Sequence, residues 1–251
     1  MAHSLDGKRV WLIGASAGIG EALAEKLASK GATLIVSARS VDKLEALRTR
    51  LGPAHGVERL DVTDVQSVNG AWAALSASGI PDTVVYNPGT YEPQSALHFN
   101  LAEAEAMVDV NFRGALRVLS VVLPAFIARG SGHIVLVGSS AAYSGLPNAI
   151  GYGASKAALL HLAENLRLDL KDTAIRVQVV SPGFVKTRLT DKNSFAMPGI
   201  ITAPQAADHI VRGMATDRFD IHFPAGFTWA LKFLRLLPYR LYFWVAGKIP
   251  A

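Results

Sequence analysis

Tyr152 and Lys156 lie four positions apart in the run Tyr152-Gly-Ala-Ser-Lys156. Residues so spaced share one face of a helix, and apolar sequence, AALLHLAENL, continues from them. A phenol with its ordinary pKa of ~10 is a poor acid–base group at neutral pH. Catalysis favours a value nearer the working pH, which asks for about 3 units, or roughly 4 kcal/mol. An ammonium about 4 Å away, at an effective dielectric near 20, supplies roughly 4 kcal/mol. The pair therefore reads as one acid–base unit in which Lys156 lowers the pKa of Tyr152. Upstream stands Gly138-Ser139-Ser140. It is not the Gly-x-Ser-x-Gly turn of a nucleophilic serine, and the seven histidines offer no convincing partner by spacing. A serine there reads as a hydrogen-bond donor to a substrate oxygen or as an ordinary turn residue.

The elements that must carry these groups alternate along the chain. Strands are expected at Lys8–Ile13, Thr33–Ala38, within GVERLDV, at TVVYN, at His133–Gly138, at Ala174–Val180 and in FDIHFP. Helical patterns lie between them: EALAEKLASKG, VDKLEALRTRL, VQSVNGAWAALSAS, one long helix through AEAEAMVDVNFRGALRVLSVVLPAFIARG, a helix from Tyr152 to about Lys171, and PQAADHIVRGMATD. This alternation predicts an α/β fold, a Rossmann-like, doubly wound, mostly parallel seven-stranded sheet with helices on both faces. Ligands of such sheets bind at the carboxyl ends of the strands, so residues just after strands are the site candidates.

The first of these ends carries Gly14-Ala-Ser16-Ala-Gly18-Ile19-Gly20. Glycines between a strand and a helix allow a tight turn and close approach of a pyrophosphate to the helix N-terminus. The end of the second strand reads Ser37-Ala38-Arg39-Ser40. A carboxylate there would hold a ribose 2′-hydroxyl, and an arginine a 2′-phosphate; Arg39 therefore favours NADP(H) over NAD(H). Asp61-Val62 follows the third strand. Asp61 either accepts a bond from the adenine amino group or merely neighbours a helix cap supplied by Thr63 or Asp64.

With these residues in place, the chain resembles the short-chain dehydrogenase/reductase family from about Gly7 to Thr190, and more loosely to His222. The glycine turn, Asp61-Val62, Asn111, Ser139, Tyr152-x-x-x-Lys156 and Pro182-Gly183 fall in the family's order, with Ser139 thirteen positions before Tyr152. The resemblance implies a catalytic set of Asn111, Ser139, Tyr152 and Lys156. Tyr152 would exchange a proton with the substrate oxygen, Ser139 would polarise that oxygen, Lys156 would also hold the nicotinamide ribose, and Asn111 would anchor a water in the proton relay. Asn87 and Gly89 would face the ribose. Pro182, Gly183, Val185 and Thr187 would face the carboxamide and phosphates. It also implies a homodimer or homotetramer, no metal, and the interconversion of an aldehyde or ketone with an alcohol. The alternative is a cofactor-binding sensor or scaffold without turnover. Two departures stand out: Pro88 replaces the usual alanine after Asn87, and Ile13 the usual threonine before Gly14.

Composition agrees with a globular chain of 251 residues, half apolar and 18% charged. The net charge of +5 is concentrated in a tail, because Lys232, Arg235, Arg240 and Lys248 follow Asp220 with no acidic residue after it. A nucleic-acid groove is therefore not expected. No cysteine is present, and the first residues lack the apolar core of a signal peptide; a cytoplasmic location is expected. Residues 1–222 read as one domain with a substrate loop at about 189–203, and 223–251 as an amphipathic extension of it. The extension holds eight of the 20 aromatic residues. A membrane span through 227–247 is unfavourable: three cations cost roughly 8–10 kcal/mol, and nine Leu, Phe and Val residues return roughly 3–5. Thr228, Lys232 and Arg235 form a polar stripe at helical spacing, with Pro238 interrupting. Four readings stand: a peripheral membrane contact, a subunit contact, a lid over an apolar substrate, or a helix packed on its own domain.

Overall fold

Val10 to Ile13 are fully buried, and their side chains alternate between two separate apolar cores. A strand buried on both faces must belong to the middle of a covered sheet. In this computed structural model, which describes residues 3–249, it does. β1 (Arg9–Ile13) pairs in parallel with β2 (Thr33–Ala38) on one side and β4 (Thr83–Tyr86) on the other. β3 (Gly56–Arg59), β5 (Ser131–Val137), β6 (Ala174–Pro182) and β7 (Asp220–Phe223) complete the seven-stranded parallel sheet, in the order β3-β2-β1-β4-β5-β6-β7. The chain winds outward from β1 to β3, then restarts at β4 on the other flank. This reversal opens a crevice at the carboxyl ends of β1 and β4.

On one face, Val10 and Leu12 pack with α1 (Gly18–Ala28), α2 (Val41–Leu51) and α7 (Ala203–Met214). On the other, Trp11 and Ile13 pack with α3 (Val65–Ser76), α5 (Gly114–Arg129) and α6 (Ile150–Asp169). The long helix expected through residues 102–130 is continuous but not uniform. α4 (Leu101–Val108) passes into α5 through a π-helical turn at Asp109–Arg113. The combined run is long and apolar enough to cross a membrane, yet Val118, Val122 and Phe126 are spent against the sheet. Pro124 is accommodated inside α5, and Gly130 ends that helix in the left-handed conformation that glycine adopts cheaply. α6 starts two residues before Tyr152.

The tail forms α8 (Ala225–Leu236) and α9 (Tyr239–Ala246), with the chain turning at Pro238. Thr228, Lys232 and Arg235 do lie on one stripe, but it faces the protein. Thr228 is fully buried and bonds His222 at 2.7 Å. Lys232 pairs with Asp220 at 2.7 Å, and Arg235 donates to the Tyr143 carbonyl at 2.7 Å. Sequence periodicity identified the stripe; these distant partners decided its direction.

Phe126 fastens the far end of α5 to β5. It is fully buried, and the glycine at 132 leaves its ring room, since a Cβ there would come within 2.1 Å of it. Phe126→Ala is expected to cost about 3–5 kcal/mol of stability, read as a lower urea midpoint.

Candidate active site

A cavity of about 810 Å³ opens at the crevice between β1 and β4. Its wall contains Gly14, Ser16, Gly18, Ile19, Arg39, Asp61, Val62, Asn87, Gly89, Ser139, Tyr152, Lys156, Pro182, Gly183, Val185 and Thr187. Two residues expected at the site, Gly20 and Asn111, stand behind this wall.

The glycines explain the cavity's floor. Gly14 has φ of 82°, and a Cβ on it would meet the Pro88 nitrogen at 2.9 Å. Gly18 has φ of 60° and lies against the Thr187 side chain. Gly20 does not line the cavity, and a Cβ there would fall 2.0 Å from the Gly14 carbonyl oxygen, so glycine lets α1 pack against the turn. Asn87 locks the same turn by donating from Nδ2 to the Gly14 carbonyl at 2.9 Å. This clamp persists beside Pro88. Ala17 gives α1 no side-chain cap, so first-turn N–H groups of α1 remain for an anion.

Past the end of β2, Arg39 and Lys43 both line the cavity with Ser40. Lys43 was not singled out from the sequence. Its signal was a cation in the first turn of a helix, where the backbone dipole disfavours positive charge. Asp61 accepts from the Thr63 N–H at 3.0 Å and its hydroxyl at 2.7 Å. Burial pushes its carboxyl up, but these bonds, with Arg39 and Arg59 nearby, hold it below its usual range. The cap of α3 is Asp64, which accepts from Gln66. Asp61 thus shapes the turn before the helix and also faces the cavity.

Tyr152 and Lys156 share a face of α6, as their spacing requires. Their electrostatics differ from the expectation. The Lys156 ammonium donates to the Val137 carbonyl at 2.9 Å and lies 5.9 Å from the centre of the Tyr152 ring. Burial pushes the Tyr152 phenol above its ordinary value, with a hydrogen bond involving Ser139 acting in the opposite direction. Burial also pulls Lys156 down to about 8. Desolvation sets the direction of both shifts. Ser139 Oγ accepts from the Ala141 N–H at 3.1 Å, which orients the hydroxyl. Asn111, fully buried in the π turn, accepts from the Thr90 N–H at 2.8 Å and donates to the Thr90 carbonyl and to Ser155 Oγ at 3.0 and 2.9 Å. It fixes the strand-four loop to α6. A Cβ on Gly89 would lie 3.6 Å from Lys156 Nζ and 3.7 Å from Asn111 Oδ1, so this glycine stands between them.

A second cavity, of about 420 Å³, adjoins the first. Ser139, Tyr152, Gly183, Leu189 and Thr190 belong to both walls. The rest of the second wall is largely apolar, with Phe184, Phe195, Phe227, Leu231 and Ile249; Lys248 is its one charged residue among the described ones. Tyr91 also lines it, edge-on to the Tyr152 ring at 4.9 Å. Tyr91 is tied to the segment after β6. Tyr91 donates to Asn193 at 2.9 Å, and Lys192 bonds the Tyr91 carbonyl at 3.0 Å and pairs with Glu92. No isolated motif announced Tyr91, Phe195 or Phe227, because they meet only through the fold.

Residues 8–197 match the short chain dehydrogenase family. The chain belongs to this family, whose members use nicotinamide cofactors, and it is an oxidoreductase acting on CH–OH or C=O groups. It is 35% identical over 234 residues to a Myxococcus xanthus protein described as an uncharacterized oxidoreductase, spanning 91% of this chain and 92% of that protein. It is 37% identical over 187 residues to sulfoacetaldehyde reductase of Chromohalobacter salexigens, spanning 72% and 74%. Among solved structures it is similar to the closed form of serine dehydrogenase complexed with NADP+, with a TM-score of 0.78, 26% identity and 86% and 94% of the two chains covered. An alcohol dehydrogenase from Thermococcus sibiricus complexed with 5-hydroxy-NADP gives 0.76, 27%, 86% and 95%.

The depressed lysine has a measurable linkage. Its folded pKa of about 8 lies below its ordinary 10.5, so between these values the unfolded chain binds more protons. Stability attributable to Lys156 therefore rises with pH across that window. Urea unfolding of the ligand-free wild type, referenced to Lys156→Met at each pH, should move in the wild type's favour by up to about 3 kcal/mol between pH 8 and 10.5. A flat difference would show that the ammonium is solvated.

Proposed function

We propose that the protein is an NADP(H)-dependent oxidoreductase that interconverts an aldehyde or ketone with an alcohol on an apolar substrate. The observation that carries this reading is the pair of hydroxyls, Ser139 and Tyr152, at the junction of a large cavity of mixed polar and apolar lining and a smaller, largely apolar one.

The larger cavity suits a dinucleotide. Gly14, Ser16, Gly18 and Ile19, with the uncapped start of α1, would hold its pyrophosphate. Arg39 and Lys43 would hold a 2′-phosphate, Asp61 and Val62 the adenine, and Asn87 and Gly89 a ribose. Pro182, Gly183, Val185 and Thr187 would close over the nicotinamide end. The bound cofactor supplies or accepts hydride at its nicotinamide ring. The apolar cavity would take the body of the substrate, with the tail helices and residues 189–203 forming its cover.

In reduction, Ser139 donates a hydrogen bond to the carbonyl oxygen. Tyr152 gives that oxygen a proton, its O–H bond breaking as the alcohol O–H forms. Lys156 stabilises the phenolate left behind and holds the ribose, while Asn111 keeps the Thr90 loop and α6 in register.

Tyr152→Phe should lower kcat/KM for NADPH-driven carbonyl reduction by about 10²–10⁴-fold, with NADPH affinity by fluorescence titration nearly unchanged. Absence of NADPH oxidation by wild type with every member of a panel of aldehydes, ketones and steroids would favour a cofactor-binding scaffold. Removal of a charge-assisted phosphate contact in Arg39→Ala should cost about 10- to 100-fold in kcat/KM with NADPH, leaving the NADH value unaltered. A side-by-side comparison in which wild type strongly prefers NADH would refute this assignment.

A further inference from the structure

The tail helices are apolar on both sides. Their inner face is spent on the protein: Leu231, Leu234, Tyr242 and Ala246 are buried, and Phe227, Leu231 and Ile249 wall the smaller cavity. Their polar stripe is also turned inward, onto His222, Asp220 and the Tyr143 carbonyl. The outward side is left to large apolar groups. Phe233 is 64% exposed, Leu236 76%, Tyr239 78% and Trp244 64%, with Trp229 and Phe243 beside them. A contiguous face of this kind marks an interaction surface rather than ordinary exposure.

We propose that the α8–α9 face docks on an anionic lipid surface and that an apolar substrate enters the smaller cavity from it. Three observations select this occupant. Arg240 and Lys248 are exposed on the same segment, and no acidic residue follows Asp220. Negatively charged headgroups complement them, whereas a two-fold contact with a second copy would bring together two faces of the same charge. The mixture of Trp, Tyr and basic residues suits the boundary between headgroup and acyl chain. Finally, the same two helices wall the cavity, so the surface that touches lipid also borders the substrate's path. Substrate delivery rests on the proposed function; attachment to lipid does not.

The test is flotation of the whole protein with phosphatidylcholine vesicles and with vesicles containing phosphatidylserine, at low and high salt. The expected result is binding to the anionic vesicles, weakened by salt. Binding falls at least about tenfold in Phe233→Glu/Leu236→Glu and falls also in Arg240→Glu. Neither change touches the cavity wall, so turnover of a short, water-soluble aldehyde should stay as in wild type. Thermal unfolding verifies the fold of the double variant, and Arg240→Glu carries the test where that variant fails to fold. Absence of wild-type binding to anionic vesicles, or binding indifferent to both variants, overturns the proposal. So does a smaller species for the double variant on size exclusion with vesicle binding intact, which would give the face to a second copy. Vesicle binding without turnover of any carbonyl would sink the proposed function and leave the attachment standing.

Discussion

Everything at the site depends on how closely the turn after β1 approaches the loop after β4. Parallel pairing sets Ile13 beside Tyr86, so the next residues of both strands emerge together. Gly14 then meets Pro88 with no room for a side chain, Gly20 closes on the Gly14 carbonyl, and Asn87 ties that carbonyl down. The cavity is the space left above this junction. Its polar character follows from backbone N–H groups that the helix start cannot satisfy internally, and its cations follow from the neighbouring end of β2.

The groups placed around the junction are costly ones. A buried ammonium and a crowded phenol are each held against their solvation preference. The ammonium keeps one good acceptor, the Val137 carbonyl, and the phenol keeps Ser139 as a neighbour. The two apolar cores sustain the expense, since each fully buried aliphatic side chain contributes about 1.5–3 kcal/mol.

Much of this was legible in the sequence. Alternating strand and helix patterns gave the parallel sheet, and the rule that ligands sit after strands picked out Gly14, Arg39, Ser139 and Tyr152. Local pattern failed where the deciding partner was distant. The spacing of Tyr152 and Lys156 fixed their shared face but not the sign of the phenol's shift, which depends on how many atoms from other elements exclude water. The Thr228, Lys232 and Arg235 stripe was visible as periodicity, yet Asp220 and Tyr143 turned it inward. Motif order placed Gly20 and Asn111 near the site; only the packing shows that they stand behind its wall. The apolar cavity was hardest to foresee, because its aromatic lining comes from four separate segments.

The π turn at Asp109–Arg113 has a consequence for how the long helix can vary. Each α-helical residue advances the side chain by about 100° around the axis. One residue taken up in a wider turn resets that phase between α4 and α5. The half that borders α6, α4, is therefore released from the angular register of the half that carries Val118, Val122 and Phe126 onto the sheet, with Asn111 in the turn between them. Substitutions can retune the site end of the helix while the core end keeps its grip, as though two helices had been joined by a rotary coupling.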